Sequence, residues 1–118
     1  MDKRVVDLVI TRALGWHPGE TVLVVTDSQM ERVAREFHDG ALAMGIDASM
    51  ITMAPRASHG EEPPAAVASA MNQCNIAILL TSRSLTHSKA RKIACDEHKV
   101  RIASMPGVDG ERIDALVD

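Results

Sequence analysis

The segment Asn75–Arg91, NIAILLTSRSLTHSKAR, decides the fold. It opens with a short apolar run, Ile76–Leu80, which predicts a strand buried on both faces of a sheet. A polar loop at 81–86 follows, and a basic helix is predicted to begin at His87. In α/β proteins, a strand that leads through hydroxyl-bearing and cationic residues into a helix N-terminus is a common place for a ligand. We therefore expect the rest of the chain to be organised around this strand end.

The remaining sequence predicts alternating helices and strands. A helical apolar stripe that ends at Gly15 and Pro18 predicts a first helix, and the β-branched run 21–26 predicts a buried strand. The next predicted elements are a helix that buries Val33, Ala34, Phe37, Ala41 and Met44, an edge strand at 47–53, and a helix from Pro63-Pro64 that buries Val67, Met71 and Cys74. After the segment above come a helix that buries Ala90, Ile93 and Ala94, a strand at 100–104, and a segment capped by Asp109 with Ile113, Leu116 and Val117 on one side.

This order of elements predicts the architecture. The connections have the length of right-handed crossovers. The chain, 1–118, is therefore expected to be a single α/β domain. We expect a three-layer α/β/α sandwich around a four-stranded parallel sheet in the order 2-1-3-4, of the Rossmann or flavodoxin-like kind.

Two features of the second helix carry local predictions. Ser28 and Glu31 have the spacing of a capping box, in which the serine hydroxyl accepts a hydrogen bond from the backbone of the first turn. Gly40 lies inside this helix, where glycine is less favourable than alanine by up to about 1 kcal/mol. It therefore predicts either close packing or a locally weak helix.

Composition argues against several classes of partner. The net charge is −3, aromatic residues make up 2% of the chain, and there is no tyrosine, whereas nucleic-acid binders present basic surfaces and stacking rings. No apolar run approaches the roughly 20 residues that cross a bilayer, and no signal peptide is evident. We expect a cytoplasmic protein that binds neither nucleic acid nor membrane.

Cys74 and Cys95 form no C-x-x-C motif and are predicted to be reduced thiols, with a disulfide as the alternative.

The predicted strand order places a candidate ligand edge at the carboxyl ends of the first and third strands, where the sheet reverses direction. An anion there would meet free amides at the start of the fourth helix, together with nearby cations. The candidate residues are Asp27, Ser28, Ser82, Arg83, Ser84, Thr86, His87, Lys89 and Arg91. The structural alternative is that Ser84 or Thr86 caps the helix and the cations are solvated. There is no Gly-x-Gly-x-x-Gly or Walker motif, so the sequence does not predict a nucleotide.

The stretch His59-Gly60-Glu61-Glu62 is a weak candidate for a metal site, because it places an imidazole and two carboxylates within four residues. Its spacing matches no standard zinc pattern. The alternative is that Glu61 and Glu62 lie ahead of a helix N-terminus, where negative charge is favourable. No complete catalytic constellation is identifiable, and we predict no catalytic residue in this chain.

Several of these segments together resemble one family. They are the turn HPGE at 17–20 with the strand TVLVVTD, HGEEPP at 59–64, TSRSLTHSKARKIAC at 81–95, and RIASMPGV at 101–108. The sequence is similar to the N-terminal domain of the thermophilic metallo-aminopeptidases, the leucyl aminopeptidase family of aminopeptidase T and aminopeptidase S. The similarity covers nearly the whole chain, and the run S-L-T-H-x-K-A-R is fairly specific.

The resemblance implies a cytoplasmic, dimeric hydrolase that removes N-terminal residues from peptides with two divalent metals (Zn, Co or Mg). It also implies that the metal ligands lie in a C-terminal catalytic domain, so no cofactor and no metal ligand is expected in this chain. The expected partners are that catalytic domain, a peptide substrate and a second copy of the chain. A related branch resembles iron-dependent dihydroxypyridine dioxygenases, whose metal site would likewise lie elsewhere. The last helical segment has no Gly or Pro stop before Asp118, so we expect it to be either frayed or cut off before its partner, and we favour a truncated chain.

These observations leave three functional hypotheses. The leading one is a non-catalytic domain of an aminopeptidase T-like metallopeptidase, whose strand-end edge faces the catalytic domain and helps to enclose the peptide. The second is a free-standing module that binds a small ligand or anion. The third is a domain that only mediates dimer contacts.

Overall fold

Four parallel strands form the central sheet of the protein, whose computed structural model describes residues 3–107. They are β1 (Thr21–Asp27), β2 (Asp47–Met53), β3 (Ile76–Leu80) and β4 (Arg101–Ser104). The strand order is β2-β1-β3-β4, and Val22 of β1 pairs with Ala48 on one side and Ile76 on the other. The predicted parallel sheet and its order are confirmed.

Four helices flank this sheet in the described part of the chain. They are α1 (Lys3–Asp7), which continues as a π-helical segment (Leu8–Ala13), α2 (Glu31–Ala43), α3 (Ala65–Met71) and α4 (Lys89–Asp96). None of them is long and apolar enough to cross a membrane. The predicted last segment, with its cap Asp109 and its apolar residues Ile113, Leu116 and Val117, lies outside the described residues.

The side chains of the two central strands divide the core into two halves, because successive residues of a strand point to opposite faces. Val22 and Val24 pack with α1 and α2 on one face. Leu23 and Val25 pack with α3 and α4 on the other. β3 is buried along its whole length, as its apolar run predicts. The result is a three-layer α/β/α sandwich of the Rossmann or flavodoxin-like kind.

One predicted core residue of α4 is wrong. Ile93 is 41% exposed, whereas Ala90 and Ala94 are buried. Residues four apart lie above one another on a helix, so the two alanines define the buried stripe of this short helix. Ile93 precedes Ala94 by one residue and is therefore rotated about 100° away from that stripe.

Close packing explains the glycine inside α2. A Cβ added to Gly40 would lie 2.8 Å from Cγ1 and 3.0 Å from Cγ2 of Val6, a buried residue of α1. Of the two alternatives for Gly40, the structure therefore supports tight packing, here between α1 and α2.

We expect Gly40→Ala to lower the free energy of unfolding by about 1 to 2 kcal/mol, because overpacking against Val6 outweighs the better helix propensity of alanine. Urea unfolding monitored by circular dichroism measures this. In a Val6→Ala background the same substitution should be neutral or stabilising. An equal loss of stability in both backgrounds would contradict the steric explanation.

The amino ends of the strands are fastened by an ion pair. Arg101 of β4 donates to the carboxylate of Glu20 at 2.5 Å and to the carbonyl oxygen of Gly15 at 3.0 Å. The backbone N–H of His17 donates to the same carboxylate at 2.9 Å. The hydrogen bond from Arg101, and next the one from His17, lower the pKa of Glu20 from its ordinary value of 4.5. The contacts tie the connection between α1 and β1 to an edge strand.

The lowered pKa of Glu20 predicts a pH dependence with a definite sign. The stability that the ionised carboxylate contributes is present above its unfolded pKa and is lost as the pH falls through the lower folded value. We expect the difference in free energy of unfolding between the wild type and Glu20→Gln to shrink as the pH is lowered from about 6 to about 3. Urea unfolding at each pH measures it, and a constant difference would contradict the assignment.

Candidate functional site

Asp27 is the last residue of β1 and lies, fully buried, where the order of the sheet reverses. Its Oδ1 accepts hydrogen bonds from the backbone N–H groups of Gln29 at 3.0 Å and Met30 at 3.2 Å. Its Oδ2 accepts from the backbone N–H and from the hydroxyl of Ser82, both at 2.7 Å. The carboxylate thus joins the turn before α2 to the loop after β3.

The predicted capping box of α2 is wrong. The helix begins at Glu31, its N-cap residue is Met30, and no side chain caps it. Ser28 is exposed in the turn instead. The reason is that the turn between β1 and α2 is longer than the capping box assumes. Asp27 binds the backbone amides of that turn itself.

We expect Asp27→Asn to lower the free energy of unfolding by about 3 kcal/mol. In asparagine an NH2 group would replace one of the two carboxylate oxygens. That NH2 group would face the N–H or O–H donors that the oxygen now accepts from, and these buried polar groups would be left unpaired. Chemical unfolding measures the change. Ser28→Ala is the matched control, expected to stay within about 0.5 kcal/mol of the wild type because Ser28 is exposed. Equal effects of the two substitutions would contradict the role of Asp27.

The hydroxyls of the loop after β3 bond to the loop itself and to the end of β4. The hydroxyl of Thr81 donates to the carbonyl oxygen of Arg83 at 2.6 Å. The hydroxyl of Ser84 donates to that of Thr86 at 2.8 Å and accepts from the backbone N–H of Thr86 at 3.0 Å. The hydroxyl oxygens of Thr86 and Ser104 are 2.9 Å apart. This network joins the loop to itself and to the end of β4.

Ser88 caps α4, and neither Ser84 nor Thr86 does. The buried hydroxyl of Ser88 accepts from the backbone N–H of Arg91 at 3.2 Å and donates to the carbonyl oxygen of Leu85 at 2.7 Å. The Nε of Arg91 donates to the carbonyl oxygen of Thr86 at 2.7 Å. The helix begins later than predicted because the loop uses the preceding hydroxyls for its own bonds. The side chain of Arg91 thus holds the loop by a backbone carbonyl group.

The amides at the start of α4, predicted to be free for an anion, are occupied by Glu62. Its carboxylate accepts from the backbone N–H groups of Lys89 at 2.8 Å and Ala90 at 3.0 Å. Glu61 instead forms an ion pair with Arg56 at 3.1 Å. Of the two glutamates expected ahead of a helix N-terminus, Glu62 does lie at one, that of α4, whereas Glu61 pairs with Arg56.

His59 takes part in the same contact between loops. Its Nδ1 accepts from the backbone N–H of Ser84 at 2.8 Å, and the N–H of Gly60 donates to the carbonyl oxygen of Ser84 at 2.8 Å. In residues 3–107, no group of three His, Cys, Asp or Glu side chains is arranged to hold a metal ion. The weak metal candidates His59, Glu61 and Glu62 are thus engaged with protein groups.

Besides Ser28, three basic residues of the predicted site present their side chains to solvent. Arg83, His87 and Lys89 are exposed, and within the described part of the chain their side chains make no hydrogen bond or ion pair. Arg83 and His87 lie in the loop before α4, and Lys89 is the first residue of that helix. The structure therefore separates the candidate edge into buried or half-buried residues that hydrogen-bond within the protein (Asp27, Ser82, Ser84, Thr86 and Arg91) and exposed basic side chains.

Both cysteines are free, which contradicts the disulfide alternative. Burial raises the pKa of the Cys74 thiol to about 11. A thiol with so high a pKa is almost entirely protonated at neutral pH, and the thiolate is the nucleophilic form. Cys74 packs, half-buried, against the core half that contains Leu23 and Val25.

No family model matches the sequence, and no curated protein or solved structure matches it either.

Proposed function

We propose that this chain is the N-terminal, non-catalytic domain of an aminopeptidase T-like metallopeptidase. Its strand-end edge would face a catalytic domain and help to enclose the peptide. The assignment rests on the sequence resemblance. The observation that supports a scaffold role is that Glu62 and Asp27 already occupy the polar groups of this edge.

This occupancy favours a surface that contacts a partner over a module that binds a small anion. A phosphate or carboxylate at α4 would have to displace Glu62 from the amides of Lys89 and Ala90. At Asp27 an anion would meet a buried carboxylate whose two oxygens each accept two hydrogen bonds. Like charges at close range are unfavourable, particularly where water is excluded.

The exposed basic side chains give this surface a chemical preference. Within residues 3–107, the side chains of Arg83, His87 and Lys89 make no hydrogen bond or ion pair. Lysine and arginine side chains bind carboxylates through charge-assisted hydrogen bonds. A peptide substrate carries such a carboxylate at its C-terminus. In the complete enzyme the divalent metals of the catalytic domain would activate the attacking water, and the cations proposed here would orient the far end of the peptide.

The test uses the protein in which this chain is joined to its catalytic domain. We expect Lys89→Ala and His87→Ala each to raise KM for peptides with a free C-terminal carboxylate by up to about fivefold, the range of a solvent-exposed ion pair. The value of kcat should stay unchanged, because neither side chain touches the metals. Steady-state hydrolysis of matched free-acid and C-terminally amidated peptides measures this, and the amidated peptide should show no effect.

Arg32→Ala is the matched control, since Arg32 is an exposed cation on α2. Unchanged KM values in both edge variants would overturn the proposed role of the cations. The absence of any metal-dependent aminopeptidase activity in the wild-type protein would overturn the family assignment. Phosphate-induced NMR shifts confined to 82–91 would then favour the anion-binding module.

A further inference from the structure

Two loops at the strand ends are held together by a small set of contacts between 59–62 and 84–90. Gly60 donates to the carbonyl oxygen of Ser84, and the N–H of Ser84 donates to Nδ1 of His59, both at 2.8 Å. Glu62 accepts from the first two amides of α4. We call these contacts the strand-end clasp. The clasp fixes the loop after β2 against the loop after β3.

The contact at His59 requires one protonation state. A ring nitrogen that accepts a hydrogen bond carries no proton, so Nδ1 of His59 is unprotonated when Ser84 donates to it. A protonated imidazole carries a hydrogen on both nitrogens and accepts at neither. The N–H of Ser84 would then face a second donor and lose its partner. Histidine is the side chain whose charge ordinarily changes between about pH 5 and 8.

Several charged or titratable side chains lie on or next to the two segments of the clasp. Glu61 and Glu62 lie within 59–62 and Arg56 precedes it, while His87 and Lys89 lie within 84–90 and Arg83 and Arg91 flank it. Arg56 pairs with Glu61, and the carboxylate of Glu62 lies on the amides of α4. The charged side chains on and beside the second segment, which contacts the ring of His59, are the cations Arg83, Lys89 and Arg91.

The two attachment points are chemically separate. The imidazole of His59 accepts from Ser84, whereas the contact between the carboxylate of Glu62 and the amides of α4 does not involve that imidazole. We propose that the strand-end clasp is a pH-sensitive attachment: protonation of His59 releases the loop tip at 59–60 from Ser84, while Glu62 keeps the base of the loop on α4. This release changes the shape of the strand-end surface beside Arg83. It is a property of this chain and does not depend on the proposed function.

The test is amide-resolved NMR of the 118-residue chain between about pH 8 and pH 5. We expect the amide shifts of Ser84 and Gly60 to move together with the ring signals of His59. The exchange protection of the Ser84 amide, corrected for the intrinsic rate at each pH, should fall by about fivefold when the bond to Nδ1 is lost. The amides of Lys89 and Ala90 should keep their protection over the same range.

His59→Asn is the matched variant, because the asparagine side-chain oxygen is an acceptor near the place of Nδ1 and does not titrate. In this variant the shift and protection of Ser84 should be independent of pH. The amides of Met105 and Gly107, which donate to the carbonyl oxygens of Leu79 and Thr81, report on the fold as a whole.

Three outcomes would overturn the proposal. They are a Ser84 amide that does not respond to pH in the wild type, a response that persists unchanged in His59→Asn, and an equal loss of protection at Met105 and Gly107. The last outcome would mean that acid unfolds the domain as a whole and does not release the loop tip.

Discussion

The strand-end architecture depends on the burial of a single carboxylate, that of Asp27. An ionised group removed from water is strongly unfavourable unless hydrogen bonds replace its hydration. Here four donors do so, two from the turn before α2 and two from Ser82. The requirement to satisfy this group dictates where both loops run. Once Ser82 is held, the hydroxyl network from Ser84 through Thr86 to Ser104 connects the same loop to β4. The strands β1, β3 and β4 are thereby joined at their carboxyl ends.

A doubly wound sheet normally leaves its crevice available to a ligand, and the same crevice is filled here by the protein's own groups. Asp27 occupies the strand end and Glu62 occupies the helix amides, so each polar feature that would attract an anion already has an internal partner. The solvent-exposed part of this edge therefore carries basic side chains without partners in the described residues. The contact with a larger partner that we propose would not require a pocket, because charge complementarity acts across an open interface.

The sequence predicts the sheet well and the site contacts poorly, for a physical reason. Strands β1 and β3 are buried on both faces, so their composition alone identifies them, and the lengths of the connections restrict the strand order. The contacts at the strand ends join residues far apart in the chain. Asp27 and Ser82 are 55 positions apart, and His59 and Ser84 are 25 apart. A capping rule considers only residues three or four positions apart and therefore selects Ser28 and Thr86. In the fold, Asp27 binds the backbone amides of the turn before α2, and Glu62 from another loop binds those at the start of α4. Gly40 is an intermediate case, since its position inside a helix indicates packing without identifying Val6 as the neighbour.

The charges of α4 explain why an acceptor from another loop is needed. Lys89, Arg91 and Lys92 lie in its first turn, and Asp96 is its last residue. This order opposes the helix dipole, which favours negative charge at the N-terminus and positive charge at the C-terminus. A helix with this arrangement is weak by itself, and the carboxylate of Glu62 supplies the missing negative charge at the correct end. The cations can then remain on the surface without destabilising the helix that carries them. The clasp and the cationic surface are thus two parts of one arrangement, since the loop that brings Glu62 to α4 is the same loop that His59 fastens to Ser84.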